Sequence, residues 1–240
     1  YVKFLKKFNT NIKLMSYKSA ELAKLSINLF LISSISYANL MSEICEKIGA
    51  NWGDIEEVLR LDDRIGKKAY IKPGLGIISG NLQRDLKNII KIGYKNKINS
   101  SKIFKLFDDY SNQRKKWIFE KINNLKLKND EKISIFGIPY KENTNTLKNS
   151  ISLDVINFFK KNNFVIFDPK LKLKKTIKNC YQENNFEKFL NLNQNLLILT
   201  PWKYIKSNKI QKKIFNSKIR FIIDPYNLIK DVSRSNNKIK

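Results

Sequence analysis

The stretch Lys132-Ile133-Ser134-Ile135-Phe136-Gly137 decides the fold class. A short apolar run stopped by glycine reads as a strand covered on both faces, and it is too brief for a helix. Three similar runs follow: Phe164-Val165-Ile166-Phe167-Asp168-Pro169, Asn195-Leu196-Leu197-Ile198-Leu199-Thr200 and Arg220-Phe221-Ile222-Ile223-Asp224-Pro225. Helical patterns at residues 153–161, 186–190 and 204–215 separate them. Strands alternating with helices predict a parallel sheet with helices on both faces. Gly137, Asp168, Thr200 and Asp224 stand at the carboxyl ends of the strands, where open parallel sheets bind ligands.

Upstream the rhythm is helical. Over residues 19–49, Leu22, Leu25, Leu29, Ile32, Leu40, Ile44 and Ile48 recur at spacings of three and four, with Ser19 as cap and Gly49 as stop. Residues 25–42 carry no charge and are long enough to span a bilayer. They also contain Asn28, Asn39 and five serines, which are costly in hydrocarbon. A helix buried on most sides, in a core or a dimer, is the favoured reading. A second helix is expected over 55–60, a Gly/Pro-rich loop over 64–80, helices over 81–94 and 101–127, and a linker over 126–130. Residues 1–17 contain a basic amphipathic piece and a strand-like Asn11-Ile12-Lys13-Leu14-Met15, with no initiating Met. They read as the tail of a preceding unit. The expected architecture is α/β overall, an all-helical central domain (17–128) followed by a Rossmann-like parallel α/β domain (129–235), with 1–16 as a remnant.

Composition narrows the chemistry. At 240 residues and 42% hydrophobic, the chain can bury a core. Two cysteines exclude a disulfide scaffold, and the absence of histidine excludes a His-based nucleophile, shuttle or metal ligand. Cys45 reads as core and Cys180 as part of a polar loop. The net charge of +26 comes from 41 lysines and only 6 arginines, spread along the chain. Lys, Asn and Ile are in joint excess, the pattern an AT-rich genome writes at permissive positions. Phosphate and base recognition lean on Arg, so a nucleic-acid partner rests on charge alone. No secretory pattern is present, and the expected compartment is the cytoplasm.

Three segments could carry function. Glu21, Lys24 and Asn28 share one helix face, either as an exposed ion pair with a polar neighbour or as a site in which Lys24 holds an oxyanion. The segment from Tyr70 to Asp85 has three glycines ahead of a helix, which lets backbone approach a ligand or merely connects two elements. The segment from Gly137 to Ser150 is polar and ends at a helix start, but lacks Gly-x-Gly-x-x-Gly.

Taken together these pieces have a context. Ser19-Ala20-Glu21-Leu22-Ala23-Lys24 with Asn28, Cys45-Glu46-Lys47-Ile48-Gly49-Ala50, Asp63-Arg64-Ile65-Gly66 and the Tyr70–Asp85 loop resemble the central domain of the UDP-glucose/GDP-mannose dehydrogenase family. Residues 137–150, Phe167-Asp168-Pro169-Lys170, Thr200-Pro201-Trp202 and Asp224 resemble its nucleotide-sugar-binding domain. The resemblance implies NAD-dependent oxidation of the sugar C6 alcohol of a UDP- or GDP-sugar to a carboxylate, for polysaccharide precursors, through a covalent cysteine intermediate. It implies a homodimer through the central helix; composition and charge leave neither nucleic acid nor membrane as expected partner, and no metal. Lys24 and Asn28 fall on the family's active-site Lys and Asn, and Arg64 on an Arg that reaches the neighbouring subunit's substrate. Lys72, Pro73, Gly74, Leu75, Gly76, Ile77 and Ile78 fall on the loop that wraps the sugar nucleotide. Tyr140 and Lys141 fall on an aromatic–Lys pair contacting it, and Lys148 on an Arg near the NAD.

The departures are specific. Asn81 stands where the family has its catalytic cysteine, Arg84 where it has Lys, and Tyr226 where it has the C-terminal Arg that follows Asp224, while Asp85 is retained. An amide cannot act as a thiolate nucleophile. The NAD-binding domain is expected to be missing except for its last strand. Two readings follow: a dehydrogenase of a branch without the cysteine, or a degenerate, non-catalytic nucleotide-sugar-binding and dimerisation subunit.

Overall fold

The apolar runs pair with one another, since buried backbone N–H and C=O groups need partners once they leave water. The computed structural model describes residues 2–8, 10–127 and 131–229. Its strands are β1 (Lys132–Phe136), β2 (Asn163–Phe167), β3 (Cys180–Gln182), β4 (Asn195–Ile198) and β5 (Phe221–Ile223), all parallel in the order β3-β2-β1-β4-β5. Ile133 through Phe136 are all buried, so both faces of β1 are covered. Ser134, buried in that run, accepts a hydrogen bond from Asn193 Nδ2 at 2.8 Å. Cys180 is corrected from loop to edge strand, with Phe164 opposite it. At three half-exposed residues, β3 has no apolar run to announce it.

Helices α6 (Ile151–Phe158), α7 (Phe186–Leu192) and α8 (Asn208–Phe215) join the strands. Helix α6 begins two residues before its expected start because Ser150 caps it, its Oγ accepting from Leu153 N. The helix expected over 204–215 breaks in two. A single 3-10 turn, Lys203–Lys206, ends where Ser207 is extended, and α8 starts afresh.

The helical half comprises α1 (Val2–Lys6), α2 (Tyr17–Ile48), α3 (Trp52–Leu61), α4 (Gly80–Lys95) and α5 (Lys102–Asn124). The strand expected over 11–15 does not form, since no neighbouring strand pairs with it. The cap of α2 is Ser16 rather than Ser19: its Oγ accepts from Ser19 N, and Gly49 closes the helix in the left-handed region. Leu29 and Ile32 of α2 pack with Ile77 and with Leu86 of α4. Burial on most sides is not what α2 shows. Ile27 (65% exposed), Phe30 (73%), Tyr37, Leu40, Ile44 and Ile48 (72%) face outward. By length and composition this is the one helix among the described residues that could cross a membrane, with a third of its most apolar window buried.

The two halves share one core. Leu75, Ile78, Ile118 and Ile122 pack in the same cluster as Ile135, Val155, Phe164 and Leu197 of the α/β half. Of the expected linker, residues 128–130 lie outside the described residues, as do Tyr1 and the boundary at 235.

Candidate functional site

Helices α2 and α4 cross so that three polar groups meet. Lys24 Nζ and Asn28 Nδ2, one turn apart, both donate to Asp85 Oδ2 at 2.5 Å. Arg84 Nε reaches Asp85 Oδ1 at 3.0 Å. The Glu21–Lys24 ion pair suggested by spacing is not among the described ion pairs; the partner of Lys24 lies 61 residues away. The Asp85 side chain is 4% exposed and that of Lys24 is 61%. Burial pushes Asp85 upward, but hydrogen bonds from Lys24, Asn28 and Arg84 outweigh it and hold the carboxyl below its ordinary range. Asp85 therefore stays ionised, its lone pairs committed. It orients Lys24, whose remaining N–H donors face a cleft of about 860 Å³ lined by Tyr17, Glu21, Lys24, Arg84, Asp85 and Asn88. Such an ammonium can hold an oxygen on which negative charge develops.

Asn81 lies four residues before Asp85 in the first turn of α4, on the same face and exposed. Its amide can donate or accept hydrogen bonds near the cleft but cannot form a thioester.

Residues 72–78 are fixed from two helices. Asn39 Oδ1 of α2 accepts from Gly74 N at 2.6 Å, Arg114 Nε of α5 donates to Gly74 O at 3.1 Å, and Ser111 Oγ accepts from Ile77 N at 2.8 Å. Gly76 has φ +79°, and a Cβ there would lie 2.6 Å from the Ser111 carbonyl oxygen, so the sequence needs glycine. Pro73, Leu75, Ile77 and Ile78 are buried, while Lys72 is exposed. A second lysine, Lys206, lies near Lys72; that like charge, then partial burial, pushes Lys206 down to about 8. The neighbouring carboxylates are committed elsewhere, Glu56 to Arg60 and Asp224 to the backbone N–H groups of Tyr226, Leu228 and Ile229. Two ammonium groups so placed suit a polyanion.

At the carboxyl ends of β1 and β4, where the strand order reverses, Gly137 (φ +93°) passes so near Thr200 that a Cβ would lie 2.2 Å from it. Tyr140 packs on the core there, with Lys141 Nζ 5.6 Å from its ring centre. Asp168 accepts from Ile138 N and Trp202 Nε1, which makes that strand-end carboxylate a loop brace. Tyr226 is buried, its ring against Gly74 and its hydroxyl donating to Leu199 O at 3.1 Å. Arg64 is exposed and paired through both guanidinium arms with Asp62; Lys148 sits exposed two residues before the α6 cap. Thus Lys24, Asn28 and Asp85 converge, with Asn81 on the same helix face. Arg64 and Lys148 stand apart from that cluster in contacts. Sequence reasoning missed Asn39, Arg114 and Lys206, polar residues whose roles depend on contacts distant in the chain.

The family models agree with this layout. The UDP-glucose/GDP-mannose dehydrogenase family central domain matches residues 18–112, and that family's UDP binding domain matches residues 134–231. UDP-glucose 6-dehydrogenase of Rickettsia bellii is 30% identical over 224 residues, covering 88% of this chain and 50% of that protein. UDP-glucose 6-dehydrogenase of Campylobacter jejuni is 28% identical over 223 residues, covering 91% and 54%. A UDP-glucose dehydrogenase structure from Pyrobaculum islandicum shares the fold with a TM-score of 0.71 at 17% identity, over 94% of this chain and 50% of that one. The chain spans about half the length of the curated relatives it matches. With two models of one family matched in order along it, the chain belongs to the UDP-glucose/GDP-mannose dehydrogenase family.

Proposed function

We propose that this chain is the substrate-binding and dimerising part of a cytoplasmic, NAD-dependent dehydrogenase acting on the sugar alcohol of a UDP- or GDP-sugar, with residues 17–128 as its central domain and 129–235 as its nucleotide-sugar domain. The observation that carries the reading is the convergence of Lys24 and Asn28 on the buried Asp85 at the rim of a cleft. Lys24 would hold the alcohol oxygen as its proton passes to water in the cleft, Asp85 would keep Lys24 oriented, and Asn28 would keep Asp85 in place. The diphosphate would lie near Lys72 and Lys206, and the nucleotide against residues 73–78, Tyr140 and Lys141, with Arg64 reaching the partner subunit's substrate. NAD accepts the hydride when bound. Lys148, an exposed cation ahead of the α6 N-terminus, suits its pyrophosphate, and the remaining contacts would come from outside these 240 residues. With Asn81 in place of a nucleophile, oxidation would stop after one hydride, at the carbonyl.

The exposed apolar stripe of α2 supports a homodimer, since a monomer rarely leaves so much contiguous apolar surface wet. The lysines are dispersed rather than clustered, so the charge by itself argues for neither nucleic acid nor membrane as partner. A second reading, a non-catalytic binding subunit, draws on Asn81 and on Tyr226, whose buried ring stands where the family has a C-terminal Arg. Calorimetry with a panel of UDP- and GDP-sugars tests both. Binding of one sugar that weakens at least tenfold in Lys141→Ala is expected; affinity indifferent to Lys141 counts against the site.

A further inference from the structure

Arg114 is an expensive residue where it stands. Its side chain is 3% exposed, and its closest carboxylate, Glu43, is 4.0 Å from Nη1. Glu43 is itself 38% exposed and also accepts from the Tyr110 hydroxyl at 3.3 Å. Nη1 has no hydrogen-bond acceptor among the described residues. The remaining support is the Trp117 ring, 4.8 Å from the guanidinium carbon. A buried guanidinium with an unmet donor and a distant counter-charge costs stability, and apolar replacement of such charges is often neutral or stabilising. What Arg114 gives in return is a bond from Nε to Gly74 O, opposite the bond that Asn39 receives from Gly74 N. One glycine is thus held at both its backbone polar groups by side chains from two helices. Without those bonds, a segment containing Gly74 and Gly76 would sample many backbone shapes.

We propose that Arg114 and Asn39 are positioning residues that clamp Gly74 and so hold residues 72–78 in the shape that receives the nucleotide sugar. The ligand half of this rests on the function proposed above; the clamp itself does not. The role differs from a packing role in its sign: the clamp is kept at a cost to stability. In Arg114→Met the melting temperature should hold or rise, while hydrogen exchange of amides 71–79 speeds at least tenfold and sheet amides in β1 and β4 stay unchanged. Affinity for the preferred UDP- or GDP-sugar should fall at least tenfold. Arg114→Lys should not rescue it, since an ammonium cannot both replace the Nε contact and stack on Trp117. Asn39→Asp, which keeps the acceptor, should hold the loop where Asn39→Ala releases it, and this pair decides the matter if Arg114→Met does not fold. Exchange of residues 71–79 unchanged in both Arg114→Met and Asn39→Ala overturns the clamp. Faster loop exchange in a chain that binds no nucleotide sugar leaves the clamp standing and overturns the ligand it is said to serve.

Discussion

At position 81 the difference between amide and thiol sets the outcome of the proposed chemistry. An alcohol loses two electrons to become a carbonyl without any covalent help from the protein, but the second oxidation in this family's scheme passes through a sulfur adduct. Asn81 offers no such sulfur. In a form carrying a dinucleotide-binding unit, one NADH per sugar is therefore expected from the Asn81 protein, approaching two in Asn81→Cys. Two from the unmodified protein would contradict the assignment of this position. A second prediction concerns Lys206, on which Lys72 acts more strongly than the opposing charges of Glu56 and Asp224. Because Lys72 pushes it down to about 8, Lys206 is mostly charged at pH 7 and mostly neutral at pH 9. An anion bound between the two would restore the proton, so affinity should fall roughly tenfold between pH 7 and pH 9. Lys206→Met should flatten that profile; an unchanged slope would separate Lys206 from the ligand.

At the scale of elements, α2 is the test case. Ile27, Phe30, Tyr37, Ile44 and Ile48 stand outward at spacings that place them along one stripe, opposite the buried Ile32, Ile35 and Asn39. A second copy is the expected cover. Phe30→Asp should weaken self-association at least about 30-fold, the scale of an interface hot spot, with sedimentation shifting to monomer while helix content is kept. A monomer already present in the unmodified chain would remove the argument. The stripe also shows what could be read from sequence. Period and length identified α2 and the four strands other than β3, because contiguous apolar residues report burial directly. The edge strand Cys180–Gln182 escaped because its burial is partial and its pairing is all that defines it. At the site, helical spacing pointed Lys24 toward Glu21, a local neighbour, whereas its bond is to Asp85, visible only once α2 and α4 cross. Family resemblance, rather than spacing, had put Asp85 in the site.

Across the whole molecule, the helical and α/β halves are joined through the same residues that would hold the ligand. Leu75 and Ile78 of the glycine loop are buried with the sheet, and Ile118 and Ile122 carry α5 into that core. A polar latch adds to it: Asn149 Nδ2, from the α/β half, donates to Ile78 O at 2.9 Å and to Gln83 Oε1 at 3.3 Å, while Gln83 Nε2 donates to Ile77 O at 2.8 Å. Halves that share a core lose it together, so calorimetry should show one unfolding transition despite the two family modules. Ile122→Ala should cost about 2–5 kcal/mol through the cavity it leaves. It should lower that single transition by roughly 4–20 °C, at about 2–4 °C per kcal/mol for a chain of this size. A nucleotide sugar at about 100 times its Kd should add about 2.7 kcal/mol and raise the same transition. Two transitions, with the ligand moving only the one assigned to the α/β half, would mean that the glycine loop is not part of the binding surface. In that case the proposed contacts at residues 72–78 would have to be abandoned, and those at Tyr140 and Lys141 kept.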